Sequence, residues 1–208
     1  MKIITNQRDW NQVLKLFPVV NDIYFNYEYF KIFAEHYNVK PEGIFWEDQH
    51  LSIFWSHLVR EIQNISNNSD RFFDLITPYG YGGPLIYCKS KNVSQIKDSM
   101  FLFLEDYYNF AQEHNYICEF VRFHPILKNW EFFYEGFQKK ILLHYNNDTV
   151  YIDLSKDLDN IWKEIGKGHK YNIRKTSKED CRLILSETPS DSDIEGFISL
   201  YYYTMEKN

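Results

Sequence analysis

Cysteine, glycine, proline and long apolar runs are all scarce in this chain, and each shortage removes a class of protein. Only Cys88, Cys118 and Cys181 occur; they make neither a CxxC pair nor an even-numbered disulfide framework, so reduced, mostly buried thiols are expected. Eight glycines and six prolines in 208 residues exclude collagen-like repeats and low-complexity disorder. The longest stretch without Asp, Glu, Lys or Arg runs from Leu75 to Cys88 and contains Pro78, Gly80, Gly82, Gly83 and Pro84. It falls short of the ~20 apolar residues a membrane helix needs. Arg8 and Asp9 interrupt any N-terminal run of signal-peptide length. No membrane span and a cytoplasmic location are therefore expected. Catalytic signatures are missing as well: there is no P-loop, no HExxH, no GxSxG elbow and no metal-spaced Cys/His cluster. No metal is expected.

Aromatic residues are abundant, at 19% of the chain, and the formal charge is −6. A globular protein is implied, and a generic nucleic-acid binder with a basic surface is not. At the rough scale of ~150 residues per domain, the length allows one large domain or one plus part of another.

Helical and β-branched segments alternate, the pattern of a mixed α/β (α+β) domain. Helices are expected at Asp9–Phe17, ended by Pro18, and at Asn26–His36. A long helix at Val93–Glu113 carries Ile96, Met100, Phe103, Leu104, Tyr107 and Phe110 as one stripe. Leu158–Ile165 is capped by Ser155 or Asp157, and a last helix runs from Asp193 to Met205. Strands are expected at Gly43–Trp46 and Leu51–Val59 around Glu47-Asp48-Gln49-His50, at Phe72–Ile76 and at Ile117–Phe123. Three more are expected, as a pair Ile141–Tyr145 and Thr149–Leu154 and as Arg182–Glu187. His57 and His144 read as hydrogen-bonded strand residues rather than ligands, and Glu105-Asp106 and Glu179-Asp180 as solvated surface.

Two segments carry chemistry. Thr77-Pro78-Tyr79-Gly80-Tyr81-Gly82-Gly83-Pro84 follows a strand; its glycines allow positive φ and close backbone approach, and its tyrosines offer flat faces with hydroxyls. It suits a cleft wall, or equally a tight loop whose tyrosines pack. Lys163, Lys167, Lys170, Arg174, Lys175 and Lys178 are opposed between 163 and 178 only by Glu164. Gly166 and Gly168 should split this stretch into two helices, the second starting near His169 with Lys170, Arg174 and Lys178 on one face and Tyr171 beside them. Such a row holds phosphate, Arg174 as a bidentate fork, or serves as a solvated face.

Thr77–Pro84, Phe123-His124-Pro125-Ile126-Leu127, and the run from Thr149-Val150-Tyr151-Ile152-Asp153-Leu154-Ser155 through Trp162 to Tyr171-Asn172-Ile173-Arg174-Lys175 resemble, in order and spacing, the FemAB family of peptidoglycan interpeptide-bridge aminoacyltransferases and related acyltransferases. Phe197-Ile198-Ser199-Leu200-Tyr201 and Thr204-Met205 resemble the helix that opens the second half of such proteins. The similarity covers nearly the whole chain from about Tyr29. It implies two GNAT-like modules, each a mixed twisted sheet flanked by helices, here a first module at 1–189 and the start of a second at 190–208. Family members run well beyond this length, so an N-terminal fragment or a shortened relative is expected.

The resemblance further implies transfer of an activated acyl or aminoacyl group, from aminoacyl-tRNA or acyl-CoA, to a cell-wall precursor such as a nucleotide-linked muropeptide. No tightly bound cofactor is expected. Tyr79, Tyr81 and the Gly82-Gly83 backbone would line the cleft, Lys170, Arg174 and Lys175 would neutralise acceptor phosphate, and Tyr171 would bind substrate beside them. No general base is assigned; Asp153 and His124 are the candidates. The competing readings are a non-catalytic acceptor-binding module and a single-module N-acetyltransferase using acetyl-CoA, although no Q/R-x-x-G-x-G/A loop for its pyrophosphate is present.

Overall fold

Strand β3 (Leu51–Glu61) is almost entirely buried, because its alternating side chains enter a separate apolar environment on each face of the sheet. Along one edge it pairs antiparallel with β2 (Lys40–Glu47), from Glu47↔Ser52 to Lys40↔Val59. The Asp48 carboxylate closes this hairpin by accepting the amides of His50 and Leu51, each at 2.7 Å. β1 (Lys2–Ile4) adds antiparallel to the outer edge of β2.

On the other edge of β3, β4 (Phe73–Ile76) lies opposite Leu58–Glu61 and β5 (Leu85–Cys88) opposite Leu51–Phe54, both antiparallel to it. β4 and β5 therefore run in the same direction along one line. The loop Thr77–Pro84 is an excursion from that interrupted line, across from Trp55, Ser56 and His57. β6 (Tyr116–Phe120) joins β4 in parallel, which makes the sheet mixed.

The computed structural model describes residues 1–17, 22–63, 71–133, 141–179 and 181–207. It comprises two units, Met1–Thr149 and Val150–Asn208, a division that falls earlier in the chain than the module boundary at 189–190 that the family resemblance implies. In the first unit helices cover both faces of the sheet, an α+β arrangement as expected. α3 (Val93–Glu113) packs Met100, Phe103, Leu104 and Tyr107 against Ile44, Trp46, Ile53, Trp55 and Leu75. α1 (Gln7–Leu14) and α2 (Tyr27–Tyr37) pack Trp10, Val13, Phe30 and Ala34 against Ile4, Phe54, Leu58 and Leu85 on the other face. Local chemistry sets the helix ends. Asn6 accepts the Asp9 amide at 3.0 Å, and Asn92 accepts those of Ser94 and Gln95, which satisfies donors that a first turn leaves open. The first helix ends at Leu14, before the expected end at Phe17; Pro18 itself lies outside the described residues.

The second unit holds α4 (Leu158–Glu164), α5 (Lys167–Thr176) and α6 (Asp191–Glu206). Its described residues include no strand and no buried side chain. Three expected strands are corrected: 141–145 in the first unit, 149–154 at the division between the units and 182–187 in the second form no ladder. The apolar alternation is present, but no neighbouring strand among the described residues supplies the hydrogen bonds a strand needs. Ile141 and Leu143 still pack against the α3 face of the first unit. The expected buried thiols are corrected too: Cys88, Cys118 and Cys181 are free and exposed, Cys88 at the end of β5 and Cys118 on β6, the last strand of the sheet order. No described helix is long and apolar enough to cross a membrane.

Candidate functional site

The excursion at Thr77–Pro84 is held by its own backbone and by the chain that follows β6. Gly82 donates to the Arg122 carbonyl at 2.8 Å and forms a bridge with Phe123, while Thr77 Oγ1 accepts the Arg122 amide at 3.3 Å. Asn129, buried, donates Nδ2 to the carbonyls of Gly82 (2.9 Å) and Pro84 (3.1 Å). Gly80 and Gly83 have φ of +100° and +87°, where only glycine is unstrained. A Cβ on Gly80 would sit 2.2 Å from the Tyr24 ring, and one on Gly83 would sit 2.9 Å from both Asn129 Nδ2 and Phe123. The sequence therefore needs these glycines for the loop's own packing. Gly82 and Gly83 are buried.

The tyrosines divide. Tyr79 is 74% exposed, whereas Tyr81 is half-buried in an aromatic cluster built on Tyr24. Tyr24 meets Tyr29, Tyr81 and His124 edge-on at ring distances of 5.5, 5.6 and 6.1 Å, and Tyr81 meets His124 at 5.8 Å. The Tyr81 hydroxyl is 3.2 Å from Thr149 Oγ1. Tyr29 donates its hydroxyl to the Tyr79 carbonyl at 2.6 Å; burial, with Tyr24, Tyr79 and Asp22 nearby, holds that hydroxyl above its ordinary range, so it stays a donor. Sequence reasoning missed Tyr24, Tyr29, Asp22 and Asn129. For Tyr29 the aromatic spacing along α2 was the available signal; for Asp22 and Asn129 there was none.

His124 is buried at the centre of this cluster. Its Nδ1 accepts the amides of Ile126 (3.3 Å) and Leu127 (3.2 Å), which fixes the proton on Nε2, and Nε2–H donates to Asp22 Oδ2 at 3.0 Å. Both ring nitrogens are occupied, so His124 organises the loop and offers no free base. Asp153 is engaged through one oxygen by its neighbour in the chain. Its carboxylate accepts the amide and hydroxyl of Ser155 at 3.0 and 2.6 Å, and the Ser155 bonds hold it below the usual carboxylate range.

In the second unit α5 begins at Lys167 behind Gly166 and ends at Thr176, so Lys178 lies past the helix and out of the expected row. Trp162 of α4 collects the cations: Lys170 Nζ lies 5.9 Å and Arg174 Cζ 5.5 Å from its ring centroid, within cation–π range. Lys170 also donates to the Lys163 carbonyl at 3.1 Å. Lys175 pairs loosely with Glu179 at 3.9 Å. Tyr171 is 67% exposed. Arg174 is exposed and has no carboxylate partner among the described residues. Arg174 and Lys175 fall in the last turn, where they also complement the helix dipole.

Among the described residues no group of three or more His, Cys, Asp or Glu side chains could hold a metal ion. No family model, curated protein or solved structure matches the chain.

Proposed function

We propose that the chain is a GNAT-like acceptor-binding module of a FemAB-type acyl or aminoacyl transferase. The carrying observation is Arg174: it is exposed, set over Trp162 beside Lys170, and lacks a carboxylate partner among the described residues. A planar guanidinium held in this way is preset to take two phosphate oxygens of a diphosphate-bearing cell-wall precursor, with Lys170 and Lys175 as point charges. The reaction is aminolysis: the acceptor amine attacks the activated carbonyl of aminoacyl-tRNA or acyl-CoA, the tetrahedral oxyanion collapses, the alcohol or thiol leaves, and the amine loses its proton.

A second reading, a non-catalytic binding module, is favoured by one observation: both ring nitrogens of His124 are already occupied by hydrogen bonds. Mixing the chain with a nucleotide-linked muropeptide and an aminoacyl-tRNA separates the two. A product heavier by one aminoacyl residue supports transfer. Binding without product supports the second reading, and the absence of binding overturns both.

A further inference from the structure

On the α3 face of the sheet a group of ionisable side chains occupies ground that is ordinarily apolar. His57 is fully buried on β3, directly across from Glu42 on β2, whose Oε1 lies 3.2 Å from His57 Nε2. Glu42 also accepts the Tyr116 hydroxyl, at 3.1 and 3.2 Å. Glu119 on β6 accepts the Tyr107 hydroxyl from α3 at 2.7 Å, and its other oxygen stands 3.9 Å from His57 Nδ1. An ionised carboxylate only accepts, so the Nε2 proton points at Glu42 and the lone pair of a neutral imidazole faces Glu119. His57 Nδ1 and Glu119 Oε1 are both buried without a hydrogen-bond partner. The Trp55 indole N–H lies near Glu119 but outside hydrogen-bonding geometry.

Two buried acceptors facing each other are unfavourable unless a proton lies between them. We propose that His57 and Glu119 together take up one proton from solvent on folding, and that this proton makes the attachment of α3 and β6 to the sheet sensitive to pH. The other titratable groups facing the pair are Glu42 from β2, Tyr107 and Tyr108 from α3 and Tyr116 from β6. Arg60 and Asp74 bond each other across β3 and β4 and, by strand alternation, project from the opposite face. Burial pushes the Glu119 carboxyl above its ordinary range, against the pull of His57 and Tyr107. Burial and the Glu119 charge likewise raise the Tyr107 hydroxyl, which therefore remains a donor.

The sign follows from proton counts. An unfolded pair releases its last proton near the ordinary histidine value of about 6.5, whereas the folded pair retains it to higher pH. Stability then falls as pH rises above about 6.5, with the unfolding constant growing up to about tenfold per pH unit until the folded pair lets go. Release leaves two buried carboxylates around a neutral ring and loosens the Tyr107–Glu119 tie. The test is denaturant unfolding between pH 5 and 9 for the wild type and Glu119→Gln, whose amide offers Nδ1 an N–H that does not titrate. A flattened profile in the variant is expected; parallel profiles overturn the proposal. Should the variant not fold, nitrogen and carboxyl-carbon NMR of the wild type decides. A common titration step of His57 and Glu119 above about pH 6.5 supports the proposal. A bare Nδ1 beside an ionised Glu119 from that pH upward overturns it.

Discussion

His124 donates Nε2–H to the Asp22 carboxylate at 3.0 Å while its Nδ1 accepts two backbone amides, so one ring ties three points of chain together beneath the Tyr/Gly loop. Removing it leaves the Ile126 and Leu127 amides and Asp22 without their partner. His124→Ala is expected to lower unfolding free energy by about 2–3 kcal/mol, and Asp22→Asn, which keeps an acceptor, by about 1 kcal/mol or less. Urea denaturation of the two variants checks the order; equal losses would remove the special place given to the ring.

The glycines of this loop and those of the second unit should respond oppositely to the same change. Gly83→Ala places a Cβ against Asn129 and Phe123 at positive φ and should cost about 1–3 kcal/mol. Gly168, in α5, has open space around it, and Gly168→Ala should stabilise that helix by about 0.5–1 kcal/mol. Thermal melts read both signs.

Much of the first unit was legible because its patterns had partners. The α3 stripe predicts Val93–Glu113, and the structure has Val93–Glu113; the β2–β3 hairpin follows from two apolar runs around Asp48. Alternation at Val150, Ile152, Leu183 and Leu185 has the same period, yet these side chains are largely exposed. A period of two names a face and not the strand that pairs beside it. Glu42 and Glu119 escaped notice for the converse reason: each reads as solvent-facing until the sheet sets it around His57.

Backbone exchange should mirror this difference. The amides of 182–186 make no backbone hydrogen bond among the described residues, whereas β3 is bonded along one whole edge. Amide hydrogen exchange is expected to be fast at 182–186 and slowest in Ile53–Leu58. Comparable protection in both segments would show that the former pairs in solution.

Trp162 is expected to set the bearing of both cations. Trp162→Leu removes two cation–π contacts worth about 0.5–1 kcal/mol each and frees Lys170 and Arg174 to move. Binding of inorganic diphosphate, followed by calorimetry, should weaken several-fold while the helical circular dichroism of the chain is retained. Unchanged binding would make Trp162 a packing residue only.

The most direct measurement is titration calorimetry of a nucleotide-linked muropeptide into the wild-type chain and into Arg174→Ala. A charged, bidentate phosphate contact is worth about 1.5–3 kcal/mol, so the variant is predicted to bind at least about tenfold more weakly. Equal affinities in the two proteins would contradict the account.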